Sequence, residues 1–483
     1  MVKHSAEVRI EQIKPRFDDS GLVADAGLII PATLAERLGL ARLIREKLDL
    51  GTRPGASRPE RKVMTLIHAM LAGADSIDDS DILRSGSTGV VLGHEVMAPS
   101  TLGTFLRSFT FGHVRQLESV AAELLRRAWK QGAGPGEGER VTIDLDSFVG
   151  QVHGYQKQGA GFGYTKERGL HPLLATRAGA GEVLGIRLRE GSANTQRGIQ
   201  RFIEELIPRV RRAGATSEIV IRADSGFWRA KTFELLEKQG ISYSIGVRRQ
   251  GGIPQAIESI PGSAWRKLEG YPEPGLAEIA ETTYGGRRLI CRRVRELSDQ
   301  QELLPGWRHH AFITNRTEEI GVVEAEHRGH AVIELAIRDL KAGALAHFPS
   351  GDFSANSAWT QLAAMAHNLA RFSQVIALPE ASPRVLATFQ RRLLRIPGRI
   401  TRTARQTILH LAGPLALAKR LHGSPQPNQG LANPRLTANP RSIGSNCPAG
   451  DSPRPDLGSN STNESPNLRK PAPTRPIRLE TVR

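Results

Sequence analysis

Two aspartates alternate with two aliphatic residues in "TIDLDSF" (142–148), so a strand here carries Asp144 and Asp146 on one face and Ile143 and Leu145 on the other. Side by side, two carboxylates repel unless a cation lies between them. Further along, "RADSGFW" (222–228) ends a strand on Asp224, and binding sites gather at strand ends. A third acid, Glu334, stands in "HRGHAVIELAIRDLKAG" (327–343). Helical spacing there aligns His327, His330, Glu334, Arg338 and Lys341 in one polar stripe, beside an apolar stripe of Ile333, Ile337 and Leu340. Hard divalent cations prefer oxygen ligands, and three such acids leave positions open for water and a phosphate. Plainer readings exist for each: an exposed sheet face for the Asp pair, a helix cap for Asp224 or Ser225, and a surface helix with an ordinary Glu334–Arg338 pair.

The elements that must position these acids follow from periodicity. Residues 20–140 repeat at about 3.6 and read as helices, as in "PATLAERLGLARLIREKLDL" and "VRQLESVAAELLRRAWK". A glycine-rich break, "KQGAGPGEGER" (130–140), then gives way to short β-like runs: "VTIDLDSFV", "PLLATRA", "VLGIRLR" and "EIVIRAD". A helix, "NTQRGIQRFIEELIPRVRRAG", separates the last two and predicts that they are parallel neighbours joined by a crossover. From about 242 to 316 the chain is strand-rich and punctuated by Gly and Pro, which predicts a β insertion. One long helix is expected over "VVEAEHRGHAVIELAIRDLKAG" and another over "AWTQLAAMAHNLARFSQVIAL". Between 384 and 420 there are nine Lys/Arg and no Asp or Glu, a run suited to a phosphate backbone or to a solvated helix face. Residues 424–483 are rich in Pro, Asn, Ser and Gly and are expected to be disordered. The expected division is a helical N-terminal domain (1–139), an α/β core (140–375) with its β insertion, a basic extension (376–423) and the tail.

Composition narrows the partners. A 483-residue chain with 39% hydrophobic residues is long enough for two or three globular units. Its 66 Lys+Arg against 49 Asp+Glu give a formal charge of +17, which favours a polyanion, nucleic acid before any other. No stretch approaches the roughly 18 apolar residues of a membrane span. A cytoplasmic protein without a membrane partner is expected. The two cysteines, Cys291 and Cys447, form neither a disulfide framework nor a zinc spacing. A two-carboxylate glycosidase is disfavoured by the basic charge and by an aromatic content of only 5%.

Taken together, the order acid on a first strand, acid ending a later strand, glutamate on a helix resembles the DDE insertion-sequence transposases. The likeness is to the group named after insertion sequence 1380 and its relatives named after insertion sequence 4. It spans about residues 20–420 and includes "DDSDILRSG" and "APSTLGTFLRSF" in the helical front end. The resemblance implies an α/β fold with an RNase H-like core, a mixed sheet with flanking helices, interrupted by the β insertion. It implies catalytic, metal-holding Asp146, Asp224 and Glu334, with Asp144 the alternative first acid, and two Mg²⁺ ions, for which Mn²⁺ can substitute. Glu334 precedes Lys341 by the spacing E-x6-K, whereas His327 and His330 occupy the Tyr and Arg positions of the related Y-x2-R-x3-E-x6-K signature. Lys341, Arg338, His330 and His327 are the implied DNA contacts, and Trp265 in the insertion is a candidate for stacking on a flipped base. The implied partners are double-stranded DNA, as terminal inverted repeats and as target, and a second copy in a synaptic homodimer, with a place at the nucleoid. Within the same chemistry a structure-selective nuclease is the alternative; outside it, a domesticated DNA-binding protein without catalysis.

Overall fold

The computed structural model describes residues 10–163, 166–271, 276–295, 306–378 and 384–412; the expected disordered tail lies outside the described residues. Strands β1 (Val141–Ser147), β2 (Leu173–Arg177) and β3 (Val183–Arg187) form an antiparallel meander. On the other side of β1, β4 (Ile219–Ala223) pairs in parallel, and β5 (Ser242–Gly246) pairs in parallel with β4. Strands β6 (Arg266–Lys267), β7 (Leu276–Tyr284), β8 (Arg287–Arg295) and β9 (Arg308–Thr314) continue the sheet beyond β5, giving the order β6-β7-β8-β9-β5-β4-β1-β2-β3.

This order corrects the expectation that "EIVIRAD" neighbours "VLGIRLR". The outer edge of β3 is already satisfied by side chains of the helix Phe353–Phe372. Asn368 accepts from the Val183 amide at 2.7 Å and donates to the Val183 carbonyl at 2.8 Å, and Gln361 donates to the Ile186 carbonyl at 2.7 Å. A strand with no free neighbour edge there must pair elsewhere. The crossover helix Ile199–Ala213 therefore returns the chain to the open edge of β1. Every residue of β4 is buried, as suits a strand covered on both faces.

The β insertion is also redrawn. Ser242–Gly246 belongs to the central sheet, and the later strands extend that sheet because β9 pairs with β5 through Phe312–Gly246, Ile313–Ile245 and Thr314–Ser244. The helical front end shares its core with the sheet. Every residue from Ala355 to Ala370 is buried, and that helix packs on Pro59–Ala72 and Phe111–Ala128 as well as on β3. The basic extension packs on the front helices in turn: the Ala26 amide donates to the Ile396 carbonyl at 2.8 Å, and the hairpin Gly398–Arg402/Thr407–Leu411 pairs with Leu22–Val23. Among the described residues no helix is long and apolar enough to cross a membrane.

Candidate active site

Parallel register brings the two aspartates together. Asp144 lies opposite Arg222 and Leu145 opposite Ala223, so the next residues, Asp146 and Asp224, leave the same end of the sheet on adjacent strands. Asp224 is exposed and caps the turn Ser225–Phe227, its Oδ1 accepting from the Gly226 amide at 2.9 Å. The capping reading thus holds without removing the carboxylate from solvent. Asp146 is half-buried, and its Oδ1 accepts from its neighbour's amide, Ser147, at 2.6 Å. Burial pushes the Asp146 carboxyl up to about 6; the charges of Asp224 and Glu334 push the same way, while the Ser147 amide and His330 pull down. Asp146 is therefore near enough to acids from two other elements to feel their charge.

Glu334 stands exposed in the first turn of the helix Ile333–Lys341, whose Ile333 and Leu340 are buried. Arg338 and Lys341 are exposed on the same helix, one and two turns further on. The single long helix expected here is broken. Ile320–Arg328 passes through a tight 3₁₀ turn, Gly329–Val332, into Ile333–Lys341. Because a 3₁₀ turn advances 3.0 residues rather than 3.6, His327 does not share a face with Glu334.

Of the other expected site residues, three are placed differently. Asp144 is only 1% exposed, and Arg222 grips it with one edge of its guanidinium, Nε to Oδ1 at 2.7 Å and Nη2 to Oδ2 at 2.8 Å. Buried in this way, its carboxylate is not open to a ligand from solvent. His327 turns inward: its ring stacks on Phe312 with centroids 4.0 Å apart, and its Nδ1 meets the Ser244 hydroxyl at 2.8 Å. Burial, with the nearby charges of His330, Arg222 and Arg292, pushes it down to about 3, so it is a neutral ring with no charge for a phosphate. Trp265 lines a cavity of about 160 Å³ with Arg249, Arg293 and His309, but the Arg293 guanidinium already lies over its ring at 4.2 Å. One stacking face is taken. His330 stays with the acids, its Nδ1 donating to Asp144 Oδ1 at 3.0 Å.

Arg222 is the residue that sequence reasoning passed over. A lone guanidinium in the otherwise apolar run "IVIRA" demands a buried counter-charge, and an aspartate two residues before the first acid was in view to supply it.

The donor set suits a hard cation: three carboxylates, with Asp146 pushed up toward neutral pH by burial and, to a lesser degree, by two other acids whose repulsion a divalent ion would relieve. As placed, the carboxylates are not drawn together; among the described residues no three His, Cys, Asp or Glu side chains close around one ion position. Asp224 and Glu334 are exposed, with room for their side chains to turn.

None of the curated proteins matches the chain. Among solved structures, the piggyBac transposase synaptic complex with hairpin DNA is similar at 12% identity and a TM-score of 0.44, over 77% of this chain and 80% of that one. The family model described as transposase DDE domain group 1 matches residues 5–426. With the greater part of its length matched, including all three acids, the chain belongs to the transposase DDE domain family, group 1.

Proposed function

We propose that the protein is a DNA transposase that cleaves the ends of its own insertion sequence and joins them to target DNA. The observation that carries this reading is the register that sets Asp146 of β1 beside Asp224 at the end of β4, with the charge of Glu334 reaching Asp146 from a helix more than a hundred residues further on. Family membership supports the reaction class, and the mixed five-stranded centre flanked by helices supports an RNase H-like core.

In this reading Asp146 is the first acid, because Asp144 is consumed by Arg222. Asp146, Asp224 and Glu334 would hold the divalent cations that the family generally uses. When bound, two Mg²⁺ ions supply an activated water and a stabilised leaving oxygen. The chain's own part is to present three carboxylates at one sheet end and to hold DNA against them. Arg338 and Lys341, exposed one and two turns beyond Glu334, grip backbone phosphates and fix register without reading bases. Hydrolysis at the element's end frees a 3′-hydroxyl, which then attacks target DNA. The front helices bind the terminal repeats, and two copies pair two ends in a homodimer at the nucleoid.

The test is a plasmid carrying the element's own ends, incubated with the full chain and Mg²⁺. Nicked and then joined products are expected from the unaltered protein. Asp146→Asn, Asp224→Asn and Glu334→Gln should each lose both products while retaining DNA binding. Cutting without joining would indicate a nuclease; binding without cutting, a protein that has lost catalysis.

A further inference from the structure

Asp144 joins three segments that each lead to an acid of the proposed site. Its Oδ2 accepts from Arg222 Nη2, and its Oδ1 accepts from both Arg222 Nε and His330 Nδ1. The remaining arm of Arg222, Nη1, donates to the Glu326 carbonyl near the end of the helix Ile320–Arg328. Gly329 makes room for that arm, since a Cβ there would stand 2.9 Å from Arg222 Nη1. Spacing gives the network its leverage. Asp144 lies two residues before Asp146, Arg222 two before Asp224, and His330 four before Glu334. On a strand, residues two apart share a face, so a fixed residue at i fixes the root of the side chain at i+2. His330 sits in the 3₁₀ turn Gly329–Val332, which runs directly into the helix that carries Glu334 in its first turn, so anchoring the turn anchors the start of that helix.

We propose that Asp144, Arg222 and His330 are positioning residues that set the separations of Asp146, Asp224 and Glu334, and that His330 acts through Asp144 rather than on a DNA phosphate. The inference rests on the functional reading above. Without the network, the turn Gly329–Val332 is tied to the sheet by fewer bonds, and Glu334 loses its fixed distance from the two aspartates. A histidine gripping DNA would instead point its hydrogen-bonding edge outward, yet the His330 side chain is only 13% exposed and faces a carboxylate that is 1% exposed.

The test uses Mn²⁺ as probe, measured by calorimetry on the full chain without DNA. His330→Ala is expected to weaken Mn²⁺ binding about 10-fold or more, the usual scale for losing a residue that orients a ligand. His330→Asn, whose side-chain amide takes the place of Nδ1 as donor to Asp144, should restore most of it. Thermal melts establish that both variants fold. DNA affinity and its salt dependence should be unchanged in His330→Ala. Mn²⁺ binding like that of the unaltered chain, or a salt slope reduced by about one as for a lost phosphate contact, would overturn the proposal. Asp224→Asn and Glu334→Gln serve as controls. If they too bind Mn²⁺ normally, the functional reading falls and this inference with it; if His330→Ala alone binds normally, only this inference falls.

Discussion

Asp146 and Asp224 leave adjacent parallel strands one residue beyond the Leu145–Ala223 pair, so the sheet's register alone makes neighbours of two acids nearly eighty residues apart. Their proximity has a measurable electrostatic signature, because burial and the two nearby acids push the Asp146 carboxyl up to about 6.

The pH dependence of cation binding follows from that shift. A carboxyl raised in the folded chain contributes stability that is fully present below its unfolded value of 3.8 and is lost as pH rises through about 6. A divalent cation needs the unprotonated form. The rise in melting temperature on adding Mg²⁺ should therefore be small at about pH 5 and larger at about pH 7.5. An equal rise at both would show that Asp146 does not titrate in the site.

The Asp144–Arg222 pair should behave as a buried ion pair. Arg222→Met leaves Asp144 in the core without its guanidinium partner and with His330 alone beside it, which costs about 3–5 kcal/mol of stability. The double variant Asp144→Leu/Arg222→Met removes both charges and should recover most of that loss. Urea unfolding of the two variants checks the sign of the difference.

His327 should be felt in acid. Its pKa, pushed down to about 3, means that its contribution is present above the unfolded value of 6.5 and is lost as pH falls toward 3. His327→Phe keeps the stacked contact with Phe312 and removes the titration. The slope of stability against pH between 6.5 and 3 should fall by one proton's worth, about 1.4 kcal/mol per pH unit at most. The loss of the Ser244 hydrogen bond adds about 1 kcal/mol at every pH and leaves the slope alone.

Arg338 and Lys341 should act on DNA as charges. Replacing either by Ala is expected to weaken binding to all sequences alike and to lower the slope of log affinity against log salt by about one. Anisotropy titrations over a range of NaCl concentrations measure it. A sequence-selective loss would mean base contact instead.

Much of the site was legible because its signals are local. Alternation in "TIDLDSF", the acid closing "EIVIRAD" and the spacing from Glu334 to Lys341 each depend on a few consecutive residues. What was not legible depends on distant partners. The neighbour of β4 is decided by Asn368 and Gln361, which occupy the edge of β3 from well over a hundred residues further along the chain. Gly27 shows the same for the basic extension: a Cβ there would fall 1.7 Å from the Leu393 carbonyl, so the front end is shaped to a segment from the other end of the fold. The break at Gly329–Val332 likewise answers to Arg222, a residue on another element. His327 was misplaced because helical spacing was carried through that turn.

The central claim is that three dispersed carboxylates share one divalent-cation site, and Fe²⁺ with peroxide and ascorbate tests it most directly by cutting the polypeptide wherever the ion sits. Fragments ending close to Asp146, Asp224 and Glu334 together, suppressed by excess Mg²⁺, are the predicted result. Cuts near only one of the three, or cuts scattered along the chain and indifferent to Mg²⁺, would contradict it.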